Sequence, residues 1–185
     1  MKVLMHVCCG PCAVYPTDTL RAESMELMLY FFNPNVQPYQ EFERRLNAAR
    51  RFAEQAGLKM IEDTLYDPEE WFRMMAFRES FRCRICYRTR LEAAAQVARR
   101  GGFDAFTTTI LYSKQQHHDL ARELGEAVGE DKGVPFLYRD FRHGWKEGIE
   151  KSKELELYRQ QYCGCIYSER DRFQGRREKT RERGS

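Results

Sequence analysis

Lys2-Val3-Leu4-Met5-His6-Val7-Cys8-Cys9-Gly10-Pro11-Cys12 is the stretch on which the fold turns. Its first six residues form an apolar run that reads as a strand, Gly10-Pro11 ends that run, and Cys12 to Glu23 suits a helix. Working outward, Met25–Phe32 is apolar almost throughout, as expected of a strand buried on both faces. Gln40–Gln55 carries Phe42, Leu46, Ala49 and Phe52-Ala53 at helical spacing and is closed by Gly57. Lys59–Leu65 reads as a third strand. Asp67-Pro68-Glu69-Glu70 is a helix start running to about Ser80, and a second helix runs from about Cys86 to Arg99, ended by Gly101-Gly102. Phe103–Ile110 is a fourth strand, Ser113–Val128 a helix, Val134–Tyr138 a fifth strand and Lys146–Gln161 a last helix. Strands alternating with long helices predict an α/β fold, a Rossmann-like parallel sheet with flanking helices. Ligands of such folds lie beyond the carboxyl ends of the strands. Cys8–Cys12, Thr107–Ser113 and Arg139–His143 are therefore expected to meet at one edge.

The chain has 185 residues, 42% of them hydrophobic, enough for one core. Its mean hydropathy is −0.72, and no apolar run reaches the roughly 20 residues of a membrane span. The N-terminus reads as a strand and not as a leader, so a cytoplasmic location is expected. From residue 170 to 185 seven Lys/Arg face three acids, a net of +4 that leaves the body at about −1. The expected organisation is a single catalytic domain over 1–169 and a basic, disordered tail over 170–185. Such a tail suits a phosphate backbone, or simply solvent. The net charge of the whole chain is no argument for nucleic acid.

Seven cysteines fall into three groups: Cys8, Cys9 and Cys12; Cys83 and Cys86; Cys163 and Cys165. In a reducing compartment an odd number suits a disulfide framework poorly, and clustering argues against scattered core thiols. Cys83-Arg84-Ile85-Cys86 has the spacing that lets two thiolates reach one metal or cluster. Cys8, Cys9 and Cys12 sit at a strand-to-helix turn, where helix amides favour thiolate. All-sulfur ligand sets select zinc or iron–sulfur clusters. One structural zinc takes four ligands and leaves three cysteines over. A [4Fe–4S] cluster also takes four, and leaves three for a second metal or a redox pair, which favours redox chemistry. Cys163-Gly164-Cys165 is open to two readings: a strained, reducible disulfide made possible by the freedom of Gly164, or two thiolates facing a second iron.

Other residues carry weaker signals. His6 lies within a strand and reads as a packed core histidine. His117-His118 read as exposed helix positions, with a proton-donor role as the rival. Tyr39, Tyr112, Tyr138 and Arg139-Asp140-Phe141-Arg142 mix aromatics and charge in a way that suits stacking on a base and pairing with phosphate. Asp18 and Asp140 are the carboxylates nearest the expected site in sequence.

Val7-Cys8-Cys9-Gly10-Pro11-Cys12, Tyr30-Phe31-Phe32-Asn33-Pro34-Asn35-Val36-Gln37-Pro38, Cys83-Arg84-Ile85-Cys86-Tyr87, Phe106-Thr107-Thr108-Thr109, Leu137-Tyr138-Arg139-Asp140-Phe141-Arg142 and Leu157-Tyr158-Arg159-Gln160-Gln161-Tyr162-Cys163-Gly164-Cys165 together resemble the cobalamin-independent epoxyqueuosine reductases of the QueH type, over about residues 3 to 169. The resemblance implies reduction of epoxyqueuosine to queuosine in the anticodon loop of tRNA, the last step of that modification. It also implies a fold similar to the adenine nucleotide α-hydrolases, a [4Fe–4S] cluster with a probable mononuclear iron beside it, no cobalamin, and an external electron donor. By motif, Cys8, Cys9, Cys83 and Cys86 become the cluster ligands. Cys163 and Cys165, with Cys12, become a redox pair or ligands of the second iron.

Two rival readings follow from the residues. A zinc-stapled RNA-binding module without catalysis needs one metal and no redox activity. An ATP-using tRNA modifier needs a glycine-rich phosphate loop after the first strand. That place here holds Cys8-Cys9-Gly10-Pro11-Cys12, so no ATP site is expected.

Overall fold

The structure, a computed structural model, describes the backbone of residues 1–183 and the side chains of residues 1–174; the last two residues of the expected tail lie outside the described residues. Four strands form one wholly parallel sheet: β1 (Lys2–Val7), β2 (Glu26–Phe31), β3 (Met60–Glu62) and β4 (Ala105–Thr108), in the order β3-β2-β1-β4. Seven helices connect and cover it: α1 (Gly10–Ala22), α2 (Tyr39–Gln55), α3 (Pro68–Met75), α4 (Arg82–Arg100), α5 (His118–Lys132), α6 (Trp145–Glu154) and α7 (Ile166–Arg183). β1 is central because every residue from Val3 to Val7 is buried, which an edge strand does not need. Strand order reverses between β1 and β4. That is the switch point where a doubly wound sheet opens a crevice at its carboxyl edge. No helix among the described residues is long and apolar enough to cross a membrane.

Four expectations need correction. Val134–Tyr138 makes one parallel bridge, Phe106 to Phe136, instead of a strand. Pro135 has no N–H to extend the ladder, so only its carbonyl and the Leu137 N–H bond to Phe106, at 3.0 and 2.8 Å. Secondly, α3 stops at Met75 and not near Ser80, and α4 begins at Arg82 and not near Cys86: nothing between 82 and 86 breaks a helix, and the break falls at Phe77, whose φ is +60°. Thirdly, α5 begins five residues later than Ser113, because the Ser113 hydroxyl accepts the Gln115 N–H at 3.2 Å and starts a turn. Fourthly, the last expected helix stops at Glu154. Glu156 takes φ +51° and the Leu157 N–H folds back to the Ser152 carbonyl at 3.0 Å.

These shifts matter for the site. Residues 113–117 and 157–165, both expected to be wholly or partly helical, are loops at the carboxyl edge. α7 runs through the boundary expected at residue 169, and Asp171 within it is paired with Arg82 at 2.7 Å.

Candidate metal centre at the sheet switch point

β1 delivers Cys8 and Cys9 to the crevice, and α1 starts at once with Gly10. A Cβ at Gly10 would stand 2.3 Å from the Ala48 carbonyl oxygen of α2, so only glycine lets the first turn of α1 seat here. That seating brings the sulfurs of Cys8, Cys9 and Cys12 within 4.8 Å of one another, with Cys8 and Cys9 3.7 Å apart. Just past the end of β4, the Thr109 hydroxyl accepts the Cys8 N–H at 3.2 Å and donates to its sulfur at 3.4 Å. The bond spans the switch point itself.

A cleft of about 600 Å³ opens on these sulfurs, lined among others by Cys8, Cys12, Cys163, Arg90, Gln116 and Gln160. Both glutamines donate to sulfur: Gln116 to Cys163 at 3.1 Å and Gln160 to Cys12 at 3.3 Å. Tyr87 sets the orientation of Gln116. Its hydroxyl accepts the His117 N–H at 3.1 Å and donates to Gln116 Oε1 at 2.6 Å, leaving the amide N–H₂ for the sulfur.

Hydrogen bonds from the Cys12 and Cys9 thiols, joined by Thr109, hold Cys8 well below the ordinary thiol range. Cys9 is pushed up, chiefly by burial, and Cys12 by its bonding to Cys8 and Cys9. Cys8 is thus the one of the three favoured to ionise. On α4, burial pushes Cys86 up to about 12 and also raises Cys83; it raises Cys163 as well.

Behind the sulfurs lies Arg90, 2% exposed. Its Nε donates to the Cys86 carbonyl at 3.2 Å, its Nη2 is buried without a partner, and among the described residues no carboxylate pairs with it. Of the thiols that face the guanidinium, only Cys8 is favoured to ionise, and Cys86 and Cys163 would add to its stabilisation only as thiolates. A buried cation without an acid fits an anionic group held on these thiolates. The helix ends point the same way. α1 and α4 each begin beside cysteines, with no side-chain cap and no acid in the first turn, so their N–H dipoles face the sulfurs.

The structure sorts the expected site residues. All seven cysteines are free. The disulfide expected across Gly164 is not formed, because the Cys163 sulfur turns to Gln116 while buried Cys165 caps α7 with its carbonyl. Gly164 does take the positive φ, +143°, that its position demands. The tightest sulfur group joins Cys12 to Cys8 and Cys9, which crosses the expected division of ligands. His6 is a core residue as expected: its neutral ring donates from Nε2 to the Phe32 carbonyl and meets Thr108 at Nδ1, and burial lowers it to about 4. His118 is buried against Tyr138 and not exposed. Tyr39, Tyr138, Asp18 and Asp140 are engaged elsewhere, with Tyr66, His118, Lys151 and Arg142 respectively. Arg139 pairs with Glu23.

Sequence reading misses Arg45, Arg90, Gln116 and Gln160. The arginines do carry a signal. Arg45 shares a helix face with Phe42, Leu46 and Ala49, and Arg90 one with Tyr87, Leu91 and Ala94, where only a partnered charge belongs. The glutamines carry none, since the sequence pattern puts both in helices that do not form there.

Fold and site together define a doubly wound α/β protein with a sulfur-rich candidate metal site at its switch point. The family model described as "Epoxyqueuosine reductase QueH" matches residues 3–171. Proteins named epoxyqueuosine reductase QueH from Dehalococcoides mccartyi and Thermotoga maritima are 36% and 35% identical to the chain. The alignments cover 93% of this chain and 94% of the first, and 98% and 97% for the second. The chain belongs to the epoxyqueuosine reductase QueH family. Membership does not favour the zinc-stapled module without catalysis. Among solved structures, the fold is similar to a predicted subunit of tRNA methyltransferase from Methanocaldococcus jannaschii (TM-score 0.59, 16% identity, 83% of this chain and 75% of that one). It is also similar to the U34-tRNA thiolase NcsA from Methanococcus maripaludis, solved with its [4Fe–4S] cluster (TM-score 0.58, 18% identity, 91% and 61%).

Proposed function

We propose that this chain is a cytoplasmic oxidoreductase that reduces epoxyqueuosine in the tRNA anticodon loop to queuosine. The observation that carries the reading, given the family, is the sulfur-lined cleft backed by the unpaired Arg90. Two electrons and two protons convert the epoxide to an alkene and release its oxygen as water; the electrons come from an external donor. A [4Fe–4S] cluster would relay those electrons, and a neighbouring iron would supply a Lewis acid.

The chain's own residues do the rest. Cys8, Cys9, Cys83 and Cys86 would hold the cluster, and Cys12, Cys163 and Cys165 would serve the second iron. The Cys8–Cys9–Cys12 proximity makes Cys12 the natural bridge between the two sets. Arg90 offsets the negative charge of the thiolates. Gln116 and Gln160 donate to the sulfurs of Cys163 and Cys12, and Thr109 to that of Cys8, which tunes their charge. The cleft lies within the ~300–1,000 Å³ of small-molecule sites, large enough for one extruded nucleoside with Trp145 on its wall. No cobalamin and no ATP enter the scheme. Residues 1–169 form the catalytic unit, and basic residues from 170 onward help to hold the RNA backbone.

Anaerobic purification with a visible spectrum and iron and sulfide quantitation tests this first. A brown protein with roughly four or more irons per chain is expected, and Cys83→Ala or Cys86→Ala removes both the absorbance and the turnover on epoxyqueuosine-bearing tRNA. A colourless protein holding only zinc overturns the reading.

A further inference from the structure

Phe72-Arg73, Phe77-Arg78 and Phe81-Arg82 repeat one dipeptide between the end of α3 and the start of α4. All three phenylalanines face solvent: Phe72 is 43% exposed, Phe81 65% and Phe77 99%. A single exposed apolar residue is ordinary, but three aromatics in one short segment are not. Phe77 is held out by its backbone. It takes φ +60°, a region that non-glycine residues enter at a cost, and its N–H is tied to the Glu79 carboxylate at 3.2 Å.

This segment adjoins the sulfur cleft. Phe81 is the residue before α4, and Cys83 lies in the first turn of that helix. Arg82 is the join: its guanidinium bonds Asp171 at 2.7 Å, and Asp171 and Arg172 line the cleft. Arg78 donates to the Met74 carbonyl at 3.4 Å and pairs with no carboxylate among the described residues.

Building on the reductase reading, we infer that Phe77 and Phe81 are a stacking platform for the single-stranded anticodon-loop nucleotides that flank the base in the cleft, with Arg78 meeting a phosphate between them. Alternating aromatic and guanidinium groups match what a single strand offers, a π-face on every base and a charge on every phosphate. A loop whose central base is drawn into the cleft must carry its neighbours past its margin, and the Phe81-Arg82 segment reaches that margin through the Arg82 bond to Asp171. A protein surface or a second copy of the chain would need no such alternation.

The test uses the full-length, anaerobically loaded protein, with iron content and visible spectrum matched to the parent, and a fluorescently labelled anticodon stem-loop RNA. Phe77→Ala/Phe81→Ala weakens binding of the stem-loop at least ten-fold, given the roughly 5- to 150-fold that one lost base–aromatic stack represents. Binding of an RNA duplex of equal length stays within two-fold. KM for epoxyqueuosine-bearing tRNA rises while kcat holds, and Phe77→Trp/Phe81→Trp restores binding. Phe77→Ala alone removes no buried surface, so it guards against a folding defect in the double variant. Stem-loop affinity within two-fold of the parent overturns the inference, as does an equal loss for the duplex, or a loss of reduction by the electron donor with RNA binding intact. A parent that binds the stem-loop through these phenylalanines yet reduces no epoxyqueuosine would keep the platform and remove the reductase reading.

Discussion

Arg45 and Arg90 are buried guanidinium groups on the two helices that flank the sulfur site, 1% and 2% exposed, and they are satisfied in opposite ways. Arg45, on α2, has everything it needs from protein. Its Nε meets Glu41 at 2.7 Å, and its Nη1 and Nη2 donate to the Cys163 and Tyr162 carbonyls at 2.7 and 2.8 Å. Glu41 is further held by the Tyr158 hydroxyl. Arg90, on α4, has one carbonyl, a buried Nη2 with no partner and thiols for neighbours. The first is a latch that ties the 157–165 loop to α2. The second, on the proposed function, is a counter-charge to thiolates that would hold the metal.

Removing each cation should therefore have different consequences. Arg45→Met strands Glu41 in the interior and frees the loop carrying Cys163, with an expected loss of about 3–5 kcal/mol, a fall of roughly 6–20 °C in Tm, with or without iron. Arg90→Met removes a charge that no carboxylate among the described residues neutralises. Thermal unfolding of iron-free Arg90→Met should stay within about 1 kcal/mol of the parent or rise. Anaerobic iron titration should show weaker retention, and an EPR-monitored redox titration a lower potential, because reduction adds negative charge that the guanidinium stabilises. If iron-free Arg90→Met falls as far as Arg45→Met, the contrast between latch and counter-charge is wrong.

A smaller effect sharpens the same boundary. Gln116→Leu and Gln160→Leu each delete one N–H donor to sulfur, a bond worth about 1 kcal/mol, so each should lower the potential by on the order of 40 mV for a one-electron step. Iron content should stay unchanged. Loss of iron in Gln116→Leu would mean that the amide shapes the Cys163 ligand position and not merely its electronics.

Much of this site is legible in the amino-acid sequence. The strand Lys2–Val7 and the turn after it follow from an apolar run stopped by Gly10-Pro11, a local signal that no packing overrides. The place of Cys8–Cys12 beside Thr109 at the carboxyl edge of a parallel sheet follows from spacing and topology, whereas Arg139 and Arg142 of the third expected group pair with Glu23 and Asp140. What stays hidden is decided at longer range. Residues 157–165 carry helix-forming charge on either side, yet buried Leu157 and the Tyr158 bond to Glu41 pull the chain off the helix axis and across α2. Ser113 has no sequence neighbour announcing that its hydroxyl turns the chain. Those two loops supply Gln116, Gln160 and Cys163. The least legible part of the fold is thus the part that completes the cleft, because a loop at a switch point is shaped by what it packs on.

The smallest expected effect concerns a third arginine, and it tests whether charge matters mainly where it is buried. Arg142 and Asp140 form a bidentate pair with 40% and 24% of their side chains exposed, beside buried His118. Such a pair contributes little by itself. Burial, then the Arg142 charge, lowers the His118 pKa, against the opposing pull of Asp140 and Asp119. An unfolded histidine takes up its proton near pH ~6.5, whereas folded His118 resists until lower pH. The unfolded state therefore binds more protons as pH falls through ~6.5, and the protein loses stability across that window until the folded group also titrates. His118→Gln should flatten that part of the pH dependence, read as urea midpoints at pH ~7.5 and ~5.5 in variant and parent. Arg142→Gln should flatten it less, since burial is the larger cause. If Arg142→Gln flattens the slope as much as His118→Gln does, the exposed guanidinium governs its surroundings as strongly as a buried one, and the distinction drawn between Arg45 and Arg90 by burial and partnership would no longer be sufficient to assign their roles.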